Sequence, residues 1–113
     1  DAYKDESDIG AVCAYLEEHS GEPVSLDQLG EVAGLSKYYL LRSFTKQKGI
    51  SPYRYLETIR IAKARKLLER NVPMIEVALQ TGFADQSHFS RFFKRLIGVT
   101  PRQYAEIFGG RQA

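Results

Sequence analysis

The chain contains few of the residues that hold small disulfide-bonded or zinc-binding domains together. Its 113 residues include one cysteine, Cys13, so no disulfide can form within the chain. The two histidines, His19 and His88, lie far apart in the sequence, and no set of residues has the spacing of metal ligands. The sequence therefore excludes disulfide scaffolds and zinc modules, and we expect no metal or other cofactor.

Long apolar runs are missing as well. No run approaches the roughly 18 residues of a membrane span, and the first residues, DAYKDESD, are acidic, unlike a signal peptide. With 43% hydrophobic and 27% charged residues, the composition is that of one globular domain. We therefore expect a soluble, cytoplasmic protein without membrane contact. The chain starts without methionine, which suggests a piece cut from a longer protein, although processing could produce the same start.

Acidic residues are scarce in the last two thirds of the chain. Residues 1–34 carry nine acids and one lysine, a net charge of -8, whereas residues 35–113 carry fifteen Lys and Arg and five acids, a net charge of +10. Such asymmetry is expected when one face of a protein meets a polyanion. Charge alone leaves open the alternative that these residues only solvate helix surfaces.

An internal repeat organises most of the chain. Residues 24–57 align with residues 72–106, with one extra residue in the second copy. Apolar residues, glycines, prolines and one arginine recur at matching positions, which is the sequence signature of a duplicated structural unit. The matched pairs are Leu26 with Met74, Leu29 with Val77, Gly34 with Gly82, Ser36 with Asp85, Leu40 with Phe89, Arg42 with Arg91, Phe44 with Phe93, Gly49 with Gly98, Pro52 with Pro101 and Tyr55 with Tyr104.

Each copy has the pattern of a helix, a tight turn and a second helix. In the first copy, Ser25 and Gln28 form a capping box that opens a short helix, and Gly34 ends it. Ser36 caps the next helix, as Asp85 does in the second copy, because a short side-chain oxygen satisfies an unpaired backbone N–H. Two helices joined by a short turn with glycine make a helix-turn-helix. The inward positions predicted for the first short helix are Leu26, Leu29 and Val32 or Ala33.

The second helix of each copy separates into two faces when residues are placed 100° apart. Arginine recurs at one outward position, and arginine can donate two hydrogen bonds to guanine in the major groove, while small or aromatic groups contact thymine methyls. The alternative is an ordinary solvated helix in which Tyr38 and Leu41 belong to a secondary core. The inward residues are Leu40, Phe44, Phe89 and Phe93, and the outward ones are Tyr38, Leu41, Arg42, Thr45, Ser87, Ser90, Arg91 and Lys94.

One long helix is predicted between the copies. Ser51 with Pro52, and Thr100 with Pro101, pair an oxygen cap with proline in a first helical turn. The first pair opens a helix of 19 residues that spans roughly 28 Å, close to the 34 Å helical repeat of B-DNA. Its inward stripe is predicted to hold Leu56, Ile59, Ala62 and Leu67, with Arg60, Lys63, Arg65, Lys66 and Arg70 elsewhere.

Two segments resemble a known family. EVALQTGFADQSHFSRFFKRLIGVTPRQY is similar to the C-terminal signature of the AraC/XylS family of bacterial transcription regulators, and SLDQLGEVAGLSKYYLLRSFTKQKGISPYRYLETIRIAKARKLL is similar to its first helix-turn-helix and linker helix. The resemblance implies an all-α fold of seven helices, with two helix-turn-helix subdomains joined by the linker helix. The expected domain covers residues 7–108, with subdomains 7–50 and 71–108, linker 51–70, and tails 1–6 and 109–113.

The resemblance also implies a function and its site. The function is sequence-specific binding of double-stranded promoter DNA by two recognition helices in adjacent major grooves, in an activator or, less often, a repressor. RNA polymerase and an N-terminal effector-binding or dimerisation domain are the other implied partners. Carried over by position, the base-reading residues are Tyr38, Leu41, Arg42, Gln86, Ser87 and Arg91. Two positions depart from the family pattern: Gly30 replaces a usual alanine, and Leu41 replaces a frequent polar residue.

Phosphate contacts are expected where cations stand at helix starts, because backbone N–H groups and the helix dipole add to their attraction. Lys37, Arg54 and Arg102 have such positions. His88 lies beside the outward stripe, where it is either a phosphate contact or a plain surface histidine.

The sequence is also compatible with one other class of function. A helical protein-interaction module with weak or lost DNA binding is the main alternative, although a protein-binding face would carry apolar anchors where Arg42 and Arg91 stand. No nucleophile, base or metal set converges, so we expect no enzyme. Cys13 falls in the apolar pattern of the first helix and is expected to be a buried, inert thiol.

Overall fold

The computed structural model describes the backbone of residues 2–110 and the side chains of residues 9–110. This part of the chain forms seven α-helices and no strand, so the predicted all-α fold is confirmed. The chain divides into two compact units, Asp1–Ile59 (unit 1) and Arg60–Ala113 (unit 2). The helices are α1 (Ala2–Glu18), α2 (Leu26–Ala33), α3 (Lys37–Lys48), α4 (Pro52–Glu69), α5 (Met74–Gln80), α6 (Gln86–Ile97) and α7 (Pro101–Phe108).

Unit 1 is held together by one apolar cluster. Helix α1 contributes Ile9, Val12 and Leu16, whose spacing of three and four residues places them on one face. Each of these side chains is fully buried. The other buried members of the cluster are Leu29, Ala33, Leu40, Phe44, Leu56 and Ile59.

Cys13 packs at the edge of this cluster and is half-buried, so the expectation of a buried thiol is met only in part. Tyr55 packs edge-on against Phe44, with ring centroids 5.4 Å apart. Burial, and then a hydrogen bond with the Cys13 side chain, raise the pKa of Tyr55 above its ordinary value. The cysteine therefore contributes to the packing of α1 against α4.

The turn of unit 1 forms through the predicted caps. The Ser25 hydroxyl accepts the Gln28 N–H at 3.1 Å, and the Gln28 side chain accepts the Ser25 N–H at 2.8 Å. Gly34 ends α2 with a φ of 71°, a left-handed conformation that costs glycine little. Ser36 then opens α3 by accepting the Tyr39 N–H at 3.3 Å. Leu26 is wrongly predicted as an inward residue: it is the first residue of α2 and is 36% exposed.

Gly30 has a steric role that the sequence does not reveal. It is buried where α2 runs into the turn, and its carbonyl accepts the Leu35 N–H at 3.0 Å. A Cβ at this position would stand 2.7 Å from the Leu35 carbonyl oxygen. The glycine therefore allows the backbone of the turn to approach α2 closely.

Unit 2 repeats this arrangement with an aromatic core. Phe83, Phe89, Phe93 and Tyr104 form a continuous series of ring contacts with centroids 5.3 to 5.7 Å apart. Such tilted and edge-on contacts are favoured between aromatic rings. The other buried members of the cluster are Ile61, Ala64, Leu68, Val77, Ala78 and Phe92.

The helix starts of unit 2 are capped less evenly than those of unit 1. Helix α5 begins after Pro73 without a side-chain cap. Helix α6 is capped by Asp85, whose carboxylate accepts the His88 N–H at 2.7 Å. Thr100 and Gln103 form a capping box at the start of α7, as the serine and glutamine of unit 1 do for α2. The predicted caps at Asp85 and Thr100 are thus confirmed.

Helix α4 buries a different set of residues from the predicted stripe. Leu56 and Ile59 are buried as expected, but Ala62 is exposed, and Arg60 is buried rather than solvated. In unit 2 the helix buries Ile61, Ala64 and Leu68 instead. One continuous stripe of inward residues does not describe α4, because each half of this helix packs into the core of its own unit.

The end of α7 is tied to the end of α4 within unit 2. The Asn71 side chain donates to the Gly110 carbonyl at 2.6 Å, and the Gly110 N–H donates to the Glu69 carbonyl at 2.8 Å. Nearby, the Tyr104 hydroxyl donates to the Glu69 carboxylate and accepts from Arg65 Nε at 3.2 Å. The hydrogen bond between Arg65 and the Tyr104 hydroxyl raises the pKa of Arg65 above its ordinary value.

Candidate nucleic-acid interface

Helix α3 presents a continuous outer face. The buried Leu40 and Phe44 fix the orientation of the helix, which confirms the predicted inward residues. On the other side, Arg42 is exposed, Tyr38 is 62% exposed and Leu41 is 40% exposed. The alternative placement of Tyr38 and Leu41 in a secondary core is therefore wrong for Tyr38. Leu41 is exposed on one side and lines a cavity on the other.

Aromatic rings organise the first turn of this face. The Arg42 guanidinium lies 5.8 Å from the centroid of the Tyr38 ring, one helical turn away. The Tyr38 and Tyr39 rings meet edge-on with centroids 5.8 Å apart. A cation over an aromatic face is stabilised electrostatically, so Tyr38 restricts the positions that the Arg42 side chain adopts.

A shallow groove runs along the outer side of α3. Tyr39 and Lys46 line it beside the predicted Leu41 and Arg42, but they are absent from the predicted site. Their spacing from Arg42 by three and four residues was a usable signal, since residues at these separations share a helix face. Ser43 and Thr45 complete the lining of the groove.

Helix α6 presents a smaller and more polar outer face. Phe89 and Phe93 are fully buried, as predicted, while Gln86, Ser87 and Arg91 are exposed. Ser87 stands one turn before Arg91, where α3 has Tyr38 before its own arginine. The second arginine therefore has no aromatic ring at the equivalent position of its helix.

His88 is anchored more firmly than a plain surface histidine. Its side chain is half-buried, and its ring meets the Phe83 ring edge-on with centroids 5.5 Å apart. Its backbone N–H is the one that caps α6 through Asp85. The ring is therefore positioned next to the outer face of α6.

The three predicted phosphate-contacting cations are all exposed and stand at helix starts. Lys37 is the first residue of α3, and Arg102 is the second residue of α7. Arg54 lies in the first turn of α4, where its backbone N–H donates to the Ser51 hydroxyl at 3.1 Å. Each cation thus lies near backbone N–H groups that have no partner inside their helix.

The charge of both helices suits a polyanion. Helix α3 carries four basic residues and no acid, and α6 carries three basic residues and no acid. Both end at a left-handed glycine, with φ of 81° at Gly49 and 98° at Gly98. The two helices are therefore structural equivalents with different outer side chains.

The part of the chain that the structure describes holds neither a candidate metal site nor a candidate membrane span. Residues 9–110 contain no cluster of His, Cys, Asp and Glu suited to a metal ion. Among the helices of residues 2–110, none has both the length and the apolar character needed to traverse a bilayer.

A family model described as a helix-turn-helix domain matches residues 29–107, which is most of the chain. The chain belongs to this family, and it is an AraC-type DNA-binding domain of the kind found in transcription regulators. The resemblance given above is thereby confirmed. The family is a class of regulator domains rather than a class of enzymes.

Two curated relatives illustrate the similarity. An uncharacterized HTH-type transcriptional regulator of Bacillus subtilis, YbfI, is 60% identical over 81 residues, covering 72% of this chain and 30% of that protein. The HTH-type transcriptional activator RhaS of Escherichia fergusonii is 38% identical over 106 residues, covering 93% of this chain and 37% of that protein. The chain thus spans about a third of the length of these relatives.

Two solved structures share the fold closely. The C-terminal domain of AraT, a response regulator from Geobacillus stearothermophilus, has a TM-score of 0.87 and 30% identity, covering 93% of this chain and 88% of that one. The DNA-binding domain of AdpA, solved in complex with a target DNA, has a TM-score of 0.83 and 29% identity, covering 88% of this chain and 91% of that one.

Proposed function

We propose that the chain reads a specific sequence of double-stranded DNA by inserting α3 and α6 into consecutive major grooves. The observation that carries the proposal is the recurrence of an exposed arginine, Arg42 and Arg91, on the outer face of two helices that are anchored by buried aromatic and aliphatic residues. The similarity to AdpA, whose domain was solved with a target DNA, supports the same role here.

Helix α3 supplies the stronger of the two base readers. Arg42 donates two hydrogen bonds to the O6 and N7 atoms of a guanine. Tyr38 and Leu41 contact thymine methyl groups, because both present apolar atoms and Leu41 has no polar group. The Tyr38 ring also keeps the Arg42 guanidinium close to the outer face of α3.

Helix α6 reads the second groove with shorter side chains. Arg91 contacts a guanine, while Gln86 and Ser87 donate to or accept from base edges near the start of the helix. The phosphates of the DNA backbone are contacted by Lys37, Arg54, His88 and Arg102. These contacts carry no sequence information.

The length of α4 favours a bent duplex. Its 18 residues span about 27 Å, which is shorter than the 34 Å between equivalent major-groove positions. Bending by some tens of degrees costs about 1 to 6 kcal/mol, and the contacts of the second helix offset this cost. Because one chain carries two different recognition helices, we expect a monomer on an asymmetric site.

The domain acts within a larger bacterial regulator. The relatives of the RhaS group are named transcriptional activators, and the chain spans about a third of their length. We therefore infer that an effector-binding or dimerisation domain precedes it, that the protein activates transcription by contacting RNA polymerase, and that it works in the cytoplasm, where the promoter is.

Selection of bound sequences from a random duplex pool tests the proposal. The 113-residue chain is expected to enrich two different half-sites about ten base pairs apart. Arg42→Ala and Arg91→Ala are each expected to lose about 1 to 3 kcal/mol on the selected site and to relax preference at one or two base pairs.

The control is Arg70→Ala, which removes an exposed cation outside α3 and α6. It is expected to leave the sequence preference unchanged. Equal losses on selected and random duplexes for the Arg42 and Arg91 variants would contradict direct reading of bases. A palindromic footprint with second-order concentration dependence would contradict the monomer.

A further inference from the structure

A cavity of about 220 Å³ opens on unit 1 among its helices. Its inner walls are formed by Leu16, Leu29 and Leu56, which belong to the hydrophobic core and are at most 3% exposed. An engineered apolar cavity of about 150 Å³ is large enough to bind benzene. The cavity of unit 1 therefore has room for a compound somewhat larger than a single benzene ring.

The rim of the cavity gathers exposed apolar side chains from three different helices. Leu26 of α2, Leu41 of α3 and Tyr53 of α4 all line it, and they are 36%, 40% and 54% exposed. Large apolar residues scattered singly over a surface need no explanation, but these three surround a single opening. The apolar surface of the inner walls thus extends to the rim of the cavity.

The polar groups of the cavity are few and uncharged. Ser25 and Ser51 line it, and each hydroxyl already accepts a backbone N–H, from Gln28 and Arg54. A hydroxyl that accepts one hydrogen bond still has its own proton to donate. Among residues 9–110, whose side chains the structure describes, no charged side chain lines the cavity, so a charged ligand would lose its hydration without gaining a partner there.

We propose that this cavity binds a small, uncharged, mainly apolar compound, about the size of a substituted benzene, that carries one hydrogen-bond acceptor for a serine hydroxyl. The apolar walls contribute the affinity, and the serines select the acceptor. This site is separate from the residues that contact DNA except at one side chain, Leu41.

Leu41 couples the cavity to DNA binding, a step that rests on the proposed function. Its side chain lines the cavity and also belongs to the outer face of α3. A compound that contacts Leu41 from within holds this side chain against the cavity and away from a thymine methyl. Bound compound therefore weakens DNA binding, and by linkage DNA weakens binding of the compound by the same factor.

The site is tested without DNA by titrating the ¹⁵N-labelled 113-residue chain with methyl benzoate and with benzoate. The two probes have similar rings, but only the ester is uncharged. The ester is expected to shift the amide signals of Leu26, Leu41 and Tyr53 in a saturable manner, with a dissociation constant of about 1 mM or lower. Absence of saturation, shifts centred elsewhere, or equal binding of benzoate would overturn the site.

A pair of variants tests the location. Leu26→Trp fills the rim with a larger side chain and is expected to weaken ester binding at least about tenfold. Leu79→Trp makes the same change at an exposed leucine of α5, outside the cavity, and is expected to bind the ester as the unaltered chain does. Full ester binding by Leu26→Trp, or its loss in Leu79→Trp, would overturn the assignment.

The coupling is tested with a selected duplex. A saturating concentration of methyl benzoate is expected to raise the dissociation constant for DNA about fivefold, and benzoate is expected to leave it unchanged. In Leu41→Ala the effect of the ester on DNA binding is expected to disappear. An unchanged DNA constant together with intact ester binding would overturn the coupling and leave the cavity site in place, while failure of all DNA binding would contradict the proposed function.

Discussion

At the scale of single residues, Arg42 and Arg91 occupy equivalent positions but have different neighbours. The Arg42 guanidinium rests over the Tyr38 ring, whereas Ser87 occupies the corresponding position before Arg91. A side chain that is already restricted loses less entropy when it binds a base. The first helix should therefore contribute more to affinity than the second.

This difference leads to a comparison of two alanine variants. Tyr38→Ala removes the ring contact and the proposed base contact together, and we expect it to cost about 1 to 2 kcal/mol in DNA binding. Ser87→Ala is expected to cost less than about 1 kcal/mol, because it removes one hydroxyl. Titration of one duplex by fluorescence anisotropy measures both.

Tyr38→Phe serves as the control, since it keeps the ring and loses only the hydroxyl. It is expected to bind DNA much as the unaltered chain does. A larger loss for Ser87→Ala than for Tyr38→Ala would show that the second helix dominates.

Gly30 offers a second test at this scale. Alanine normally stabilises a helix by up to about 1 kcal/mol relative to glycine, but at position 30 its Cβ would lie 2.7 Å from the Leu35 carbonyl oxygen. We expect Gly30→Ala to lower the free energy of unfolding by about 1 to 3 kcal/mol. Chemical denaturation followed by circular dichroism measures this change.

Gly10→Ala is the matched control, because Gly10 is an exposed glycine of α1 with no atom within 4 Å of an added Cβ. It is expected to leave stability unchanged or to raise it by about 0.5 to 1 kcal/mol. If both variants are equally stable, the turn after α2 relaxes more easily than its geometry indicates.

At the scale of helices, the caps and the core stripes of α3 and α6 were predictable from sequence, because both depend on local spacing. Ser36, Asp85 and the buried Leu40 and Phe89 all follow from it. The burial pattern of α4 was not predictable, because each half of this helix packs against a core made by residues distant in sequence, which brings Ile61 inward.

The exposure of the candidate interface residues was predictable to a similar extent. Repetition and resemblance point to the exposed positions of α3 and α6, and the caps identify the helix starts. The contact between Arg42 and Tyr38, and the cavity behind Leu41, depend on side-chain conformations and on packing among α2, α3 and α4. Such features depend on the tertiary structure, and the spacing of residues along the sequence does not predict them.

The cap of α6 gives a prediction at this scale. Asp85→Ala removes the carboxylate that accepts the His88 N–H, and we expect it to lower the free energy of unfolding by about 1 kcal/mol. Asp27→Ala is the control, because Asp27 lies in the first turn of α2 but is not its cap. Thermal and urea denaturation measure the free energy of unfolding of both variants. Similar losses of stability in the two would mean that the hydrogen bond of Asp85 contributes little.

At the scale of the whole molecule, acidic and basic residues are separated along the chain. The acids are concentrated in residues 1–34, while α3 and α6 carry only basic charges. Binding of DNA by such a surface releases counterions from the phosphates, so affinity falls as salt concentration rises.

The salt dependence gives a test of the residues that we propose to contact phosphates. Alanine at Lys37, Arg54 or Arg102 should weaken binding to all sequences alike and reduce the slope of log K against log salt by about 1 per substitution. Binding isotherms at four salt concentrations measure the slope. A residue whose removal leaves the slope unchanged does not contact phosphate.

The different caps of α3 and α6 also have a kinetic consequence. Helix α3 starts with the neutral Ser36 followed by Lys37, whereas α6 starts with the carboxylate of Asp85 followed by Gln86. If both helices bind DNA as proposed, we expect a phosphate chain to approach the first helix faster, because no carboxylate stands at its start. The second helix is then expected to bind after the first and to leave before it, so that the domain can sample neighbouring positions along the duplex while only α3 is bound.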